Sequence, residues 1–347
     1  MPDPTRFVHV IDDVVKQVEG ADDGPGPVLL HCLDGFLDAG NAGSLLVSHL
    51  LSTEISGPGK VVASFAVDEL HDYRARRPAM TFAQDHYEAY DAPRLVVRAM
   101  TDAGGTPFLL MHGPEPDMHW EGFAEAVRHV VDRLGVRLVV GIGSVPMAVP
   151  HTRPVKLTQH ATSAHLLTQA NMWSGEIRIP SSASSLLELR LGEWGHDAMG
   201  YVAHIPHYLA NLDYPAASVA LLEAITGSLD LQIDADGLRE QAARKAGEIA
   251  AQIADSDEVR DVVQGLEQQY DAFARAEESG ADLLAEDQPL PTGDELGSQF
   301  EAFLAGLDPD RPPRRGPGPG PDGGTEPGTE PGTEPGSEPG SEPGGDD

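Results

Sequence analysis

Apolar runs without a polar face alternate along this chain with stretches whose apolar residues recur at helical spacing. Val28–Leu30 opens the first run, and a loop follows that carries Asp34, Gly35, Asp38, Gly40, Asn41 and Gly43. Apolar positions then return at Leu45, Leu46 and Leu50, with His49 on the same face. This pattern predicts a buried strand, a glycine-rich turn and a helix. Residues 60–67 predict a second strand, and 68–82 a long loop or a partly paired edge ending in Met80 and Phe82. Residues 94–100 and 106–111 flank an Asp-Ala-Gly-Gly turn and predict a hairpin. Apolar residues at 120, 123, 127, 130, 131 and 134 form a helical stripe, stopped by Gly135. Further strands are predicted at 136–142, near the end of 171–180, and at 199–205. Helices are predicted at 181–191, behind a run of serines suited to N-capping, and at 214–225, closed by Gly227.

The order of elements argues for an α/β fold, a three-layer α/β/α domain over residues 1–233. Leu238, Ala242, Lys245, Ile249 and Ile253 share one helix face, and Val259, Val262, Val263, Leu266, Tyr270 and Phe273 share another. Residues 234–276 therefore predict a helical hairpin, packed on the core or on a neighbouring subunit. Residues 277–347 read as a mostly disordered acidic tail. It holds one short amphipathic stretch at 295–304 and five Thr/Ser-Glu-Pro-Gly units from Thr325 to Gly344, and it cannot bury enough apolar surface to offset chain entropy.

Charge narrows the partners. The chain has 347 residues and a net charge of −33. Residues 276–347 hold 18 acidic and 3 basic side chains, so the first 275 residues are acidic in their own right, with 38 against 20. Nucleic acid and anionic membrane surfaces are excluded as partners on that balance. The single cysteine, Cys32, allows no internal disulfide and no multi-cysteine metal site, and is expected to be a buried thiol. Without a signal-peptide pattern or a run approaching ~18 apolar residues, the chain is expected to be cytoplasmic. Only four of its basic residues are lysines, Lys16, Lys60, Lys156 and Lys245, which leaves no pair to grip a nucleotide phosphate.

Several long segments, in order, resemble the proteasome assembly chaperone family, second-subunit type, in its bacterial branch. They are LLHCLDGFLDAGNAG (29–43), FAVDELHDYRARRPAM (65–80), HGPEPDMHWEGF (112–123), GSVPMAVPHTRPV (143–155) and SSASSLLELRLGEWGHDAMGYVAHIPHYLA (181–210). The resemblance covers roughly residues 5–275. It implies a fold like that of nucleoside phosphorylases, self-association into a homo-oligomer and, from eukaryotic and archaeal relatives, binding to proteasome subunits. Those relatives often end in a hydrophobic residue, a tyrosine and one last residue that dock into the α-ring; the closing GSEPGGDD lacks that anchor.

Candidate sites each carry two readings. Gly35, Gly40 and Gly43 before a helix could hold an anion on backbone N–H groups, or could simply permit a tight turn with Asn41 as N-cap. His151, Arg153 and Lys156 concentrate positive charge in an acidic chain, as an anion pocket or as structural ion pairs. A ligand site would draw on Gly40, Asn41, His151 and Arg153. Arg74 and Arg77 read as interface residues. Ser181, Ser182, Ser184 and Ser185 precede Glu188 and His196, but no nucleophile elbow surrounds them, and helix caps fit better. Glu188, Glu193, His196, His204 and His207 match no metal-binding spacing, and His112 and Glu115 form a loop pair without a visible partner. No catalytic residue, metal or cofactor is assigned. The preferred reading is a non-enzymatic, protein-binding homo-oligomer. The alternative is a small-molecule binder or enzyme using a nucleoside-phosphorylase-like crevice.

Overall fold

The computed structural model describes residues 4–11, 25–35, 37–52, 57–168, 176–254 and 257–278, all within the first of two units, residues 1–285. The amphipathic stretch at 295–304 and the repeat tail lie outside the described residues.

Ten strands are described. They are β1 (Val8–Val10), β2 (Val28–Asp34), β3 (Lys60–Phe65), β4 (Met80–Ala83), β5 (His86–Tyr90), β6 (Val96–Thr101), β7 (Pro107–Pro114), β8 (Leu138–Met147), β9 (Leu157–Ala161) and β10 (Ala198–Pro206). Eight build one mixed sheet in the order β1-β3-β6-β7-β2-β8-β10-β9. The central strands β7, β2, β8 and β10 run parallel, and antiparallel strands border them on both sides. The helices are α1 (Ala42–Leu50), α2 (Val67–Leu70), α3 (Trp120–Leu134), α4 (Ala183–Glu193), α5 (Pro215–Leu229), α6 (Asp236–Ala254) and α7 (Asp257–Glu278).

Two apolar layers explain the sandwich. Successive side chains of a strand point to opposite faces, so β2 serves both layers. Val28, Leu30 and Cys32 pack with Leu46 and Leu50 of α1, Leu221 and Ile225 of α5 and Ile249 of α6. Leu29 faces the other way, among Phe123, Val127 and Val130 of α3 and Leu187 and Leu191 of α4. Burial on both faces is why β2 reads as an unbroken apolar run. The hairpin of β6 and β7 pairs Val96 with His112 through Thr101 with Pro107.

The structure corrects several expectations. The segment 68–82 contains α2 and then β4, which pairs with β5 in a separate two-stranded sheet. Among residues 176–180 there is no strand; they are exposed and end in Pro180, which has no N–H to give a sheet. The edge next to β10 is β9 instead, whose Thr158, Gln159 and His160 mask it as polar. Residues 8–10, ahead of the first predicted strand, form the edge strand β1, paired with β3. Gly227 does not close α5, which runs on to Leu229 and stops where Asp230 takes a left-handed conformation. No described helix is long and apolar enough to cross a membrane.

Candidate functional site

The carboxyl ends of parallel strands, where ligands of open α/β sheets usually lie, are the place to look for a site. Here the loop between β2 and α1 is clamped on all sides. Gly40 sits at φ 68°, a conformation that favours glycine, and a Cβ there would meet Tyr214 and Ile205 at 3.0 and 3.2 Å. Its N–H donates to the Ala210 carbonyl at 2.7 Å, and its carbonyl accepts from Tyr214 at 2.8 Å. Asn41 occupies the N-cap position of α1 in a left-handed conformation but makes no capping bond. Its amide donates to Asp213 at 2.7 Å instead.

The group that satisfies the start of α1 is Asp38. Its carboxylate accepts from the Gly43 and Ser44 N–H groups at 2.8 and 2.9 Å, from the Ser44 hydroxyl at 2.7 Å and from the Ser144 hydroxyl at 3.0 Å. The positive end of the helix and its free N–H groups thus already hold an anion, one belonging to the chain. Asp34 lies close by, and desolvation first, then the Asp38 charge, hold its carboxyl above the usual range. Asp38→Ala is expected to cost about 1–2 kcal/mol, as loss of a helix cap does, read as a lower urea midpoint. A midpoint equal to wild type would show that the loop is held without it.

His151 and Arg153 are also engaged. The Tyr208 hydroxyl accepts the His151 N–H at 2.9 Å and lies 2.7 Å from its Nδ1. Burial keeps His151 below the ordinary histidine value. Arg153 forms a bidentate pair with Asp271 of α7 at 2.8 and 2.7 Å and reaches Glu267 at 3.3 Å. Tyr270 donates to the Pro154 carbonyl at 3.0 Å, and the Lys156 ammonium lies 5.3 Å from the Tyr270 ring centre. The loop after β8 is thereby bound to α7 of the same chain. His151, Tyr214, Pro215, Lys245 and Ile249 help line a recess that is partly open to solvent.

On the other side of the β2–α1 loop, Glu115 and Arg76 tie segments together. Glu115 accepts the Ala183 N–H at 2.6 Å, at the start of α4. The Arg76 guanidinium donates to the Asp34 carbonyl at 3.1 Å and to the Glu115 carbonyl, and pairs with Asp117 at 2.8 Å. Arg74 and Arg77 are exposed, with no side-chain partner among the described residues.

The remaining candidates are dispersed. Ser182 and Ser185 form a reciprocal capping box on α4. His196 lies 3.3 Å from Asp132, Glu193 pairs with Arg190, and Glu188 with His160. His204 contacts Thr158, and His112 accepts from Arg98 rather than meeting Glu115. Among the described residues no group of three or more His, Cys, Asp or Glu could hold a metal ion. Sequence reasoning missed Asp38, Arg76 and Tyr208. The signal for Asp38 was its place just ahead of a helix start, with Ser44 six residues on. Nothing in Arg-Ala-Arg-Arg-Pro tells which arginine turns inward.

The PAC2 family profile matches residues 32–253. A Mycobacterium tuberculosis protein of unknown function, Rv2714, is 45% identical, with a TM-score of 0.74 over 81% of this chain and 94% of that one. A Corynebacterium glutamicum protein of unknown function is 36% identical, with a TM-score of 0.72 over 77% of this chain and 97% of that one. Rv2125 of M. tuberculosis, a proteasome-assembly chaperone homologue, is 27% identical, with a TM-score of 0.62 over 68% of this chain and 99% of that one. No curated protein matches the chain. With the profile spanning most of the sandwich and Rv2714 alike over four-fifths of the length, the chain belongs to the PAC2 family.

Proposed function

We propose that this chain is a non-enzymatic, protein-binding homo-oligomer of the assembly-chaperone kind, with proteasome subunits as partners. The observation that carries the reading is the filling of the strand-end loops by the chain's own groups. Asp38 occupies the helix terminus that would take an anion, Arg153 is spent on Asp271 and Glu267, and the serines cap α4. Chemistry on a substrate needs such groups free and convergent. The likeness to Rv2125 supports the partner class. A reducing cytoplasm suits the single cysteine, Cys32, a buried free thiol whose ionisation burial opposes.

Mixing the purified chain with proteasome α-subunits from the same organism tests the reading. A co-migrating complex on native gels, with a changed rate of ring formation, is expected. Unchanged migration and assembly would refute it. The small-molecule reading has one observation in its favour, the recess that His151 lines beside Lys245. A thermal shift with a nucleoside or phosphate, abolished in His151→Ala, would favour that reading.

A further inference from the structure

The hairpin of β4 and β5 stands apart from the two apolar layers. Met80 pairs with Tyr90 and Phe82 with Tyr87, and a register shift lies between Thr81 and Phe82. Cross-strand partners share a face, and so do residues two apart on one strand. Met80, Phe82, Tyr87 and Tyr90 therefore line one face of the hairpin, with the Phe82 and Tyr87 rings edge-on at 5.1 Å. These four side chains are 53%, 58%, 70% and 48% exposed. A lone two-stranded sheet is marginal in water, and an open face of four large apolar residues is the mark of a contact surface.

The charges on this hairpin are sorted along its length. At the tip, Asp85 and Glu88 flank His86 and are exposed. At the root stand Arg74, Arg77 and Arg94, all exposed and without a side-chain partner among the described residues. The root also carries Asp68, Asp72 and Asp91, so what it offers a carboxylate is the three guanidiniums without a side-chain partner rather than a net charge. Asp72 and Asp117, on the segments beneath, are occupied by backbone N–H groups and by Arg76. Arg76 fixes the root to the sheet through the Asp34 and Glu115 carbonyls.

We propose that this hairpin is the contact between two copies of the chain. Two hairpins laid antiparallel stack their apolar faces. That arrangement sets the tip carboxylates of each over the root arginines of the other. The contact is isologous, the same patch used twice. A second copy is favoured over another acidic surface because one hairpin carries both halves of the charge complement in matching order. The inference rests on the homo-oligomeric part of the proposed function and names the surface that would produce it.

The test is the mass of the full chain in sedimentation velocity at micromolar concentration. The wild type is expected to associate, and Phe82→Glu with Tyr87→Glu to weaken association roughly a hundredfold or more, with an unchanged thermal melt. Charge exchange gives the second arm. R74E/R77E alone puts like charge on tip and root, and so does D85R/E88R alone, so each is expected to be monomeric. Mixed in equal amounts, the two are expected to associate again, because each tip then meets a root of opposite sign. A mixture no more associated than its components would overturn the proposal, as would a double-glutamate variant that keeps the wild-type mass. In the latter case self-association itself would stand, through another surface. A monomeric wild type would remove both the hairpin contact and the homo-oligomeric reading, while binding to α-subunits is judged separately. Loss of α-subunit capture in a hairpin variant of unchanged mass would reassign the face to that partner and overturn the inference.

Discussion

Replacing Arg76 with alanine is expected to lower the free energy of unfolding by about 3 kcal/mol, the range for losing hydrogen bonds to charged groups in a partly buried setting. The reason is the number of segments that meet at one guanidinium. It donates to carbonyls at the ends of β2 and β7, and it pairs with Asp117, which in turn accepts the Asp72 N–H at 2.6 Å. His71 is drawn in as well, with Nε2 3.1 Å from the Arg76 carbonyl. Truncation strands two carbonyls and a carboxylate at once. Lysine restores the charge but not the planar fork, so Arg76→Lys is expected to recover less than half of the loss. Urea unfolding of the three proteins decides the matter. An alanine variant within about 0.5 kcal/mol of wild type, the usual scatter for surface changes, would show that water replaces the guanidinium at little cost.

The second large effect is a dependence on pH. His31 lies on the β2 face beneath α4, only 4% exposed, with Nδ1 unpartnered. Its register neighbour is Gly141, which pairs with Gly200, which pairs with His160. A Cβ on Gly141 would stand 3.1 Å from the His31 ring, so glycine there makes room for the imidazole. Burial lowers the His31 pKa from 6.5 to about 4, opposed by the Glu188 charge and reinforced by His160. Below 6.5 the unfolded chain takes up a proton that the native chain refuses until about pH 4. Stability is therefore full above the unfolded value and is lost as pH falls from 6.5 to 4, by about 3 kcal/mol at ~1.4 kcal/mol per unit. His31→Leu is expected to flatten that part of the profile by one proton's worth. His112, His151, His204 and His207, also lowered chiefly by burial, keep a residual slope. Urea midpoints across this interval provide the measurement, and an unaltered slope in the variant would exclude His31 as the source.

Elements that touch the core on both faces, or along one clear stripe, were legible in the residue pattern. β2 and β8 are of this kind because nearly all of their residues are buried or half-buried whichever face they point to, and α3 because Glu121, Asp132 and Arg133 keep to the exposed side of its stripe. Elements lacking that constraint were not. β9 lies at a sheet edge and alternates little, with Gln159 and His160 among its five residues. In the hairpin of β4 and β5 the register shift sets Tyr87 and Tyr90 three apart on one face, which hides the twofold period. The candidate site fared similarly. The concentration of His151, Arg153 and Lys156 in an acidic chain stands out in the residue order. The partners of Arg153 and His151, Asp271 and Tyr208, lie 118 and 57 residues away, beyond the reach of any local rule. Asn41 looked like the cap because its residue type suits one, yet its left-handed backbone turns the amide toward Asp213 and leaves the role to Asp38.

The family profile stops at residue 253, yet the grip of Arg153 closes on Asp271, eighteen positions later. Val263 of that last helix is buried. The stretch after the shared sandwich is thus a strap, buckled to the loop that follows β8. A version of this protein shortened to the family boundary would leave the buckle open, with a guanidinium and an apolar seam facing water. The part of the chain that holds the sandwich together extends beyond the end of the family profile.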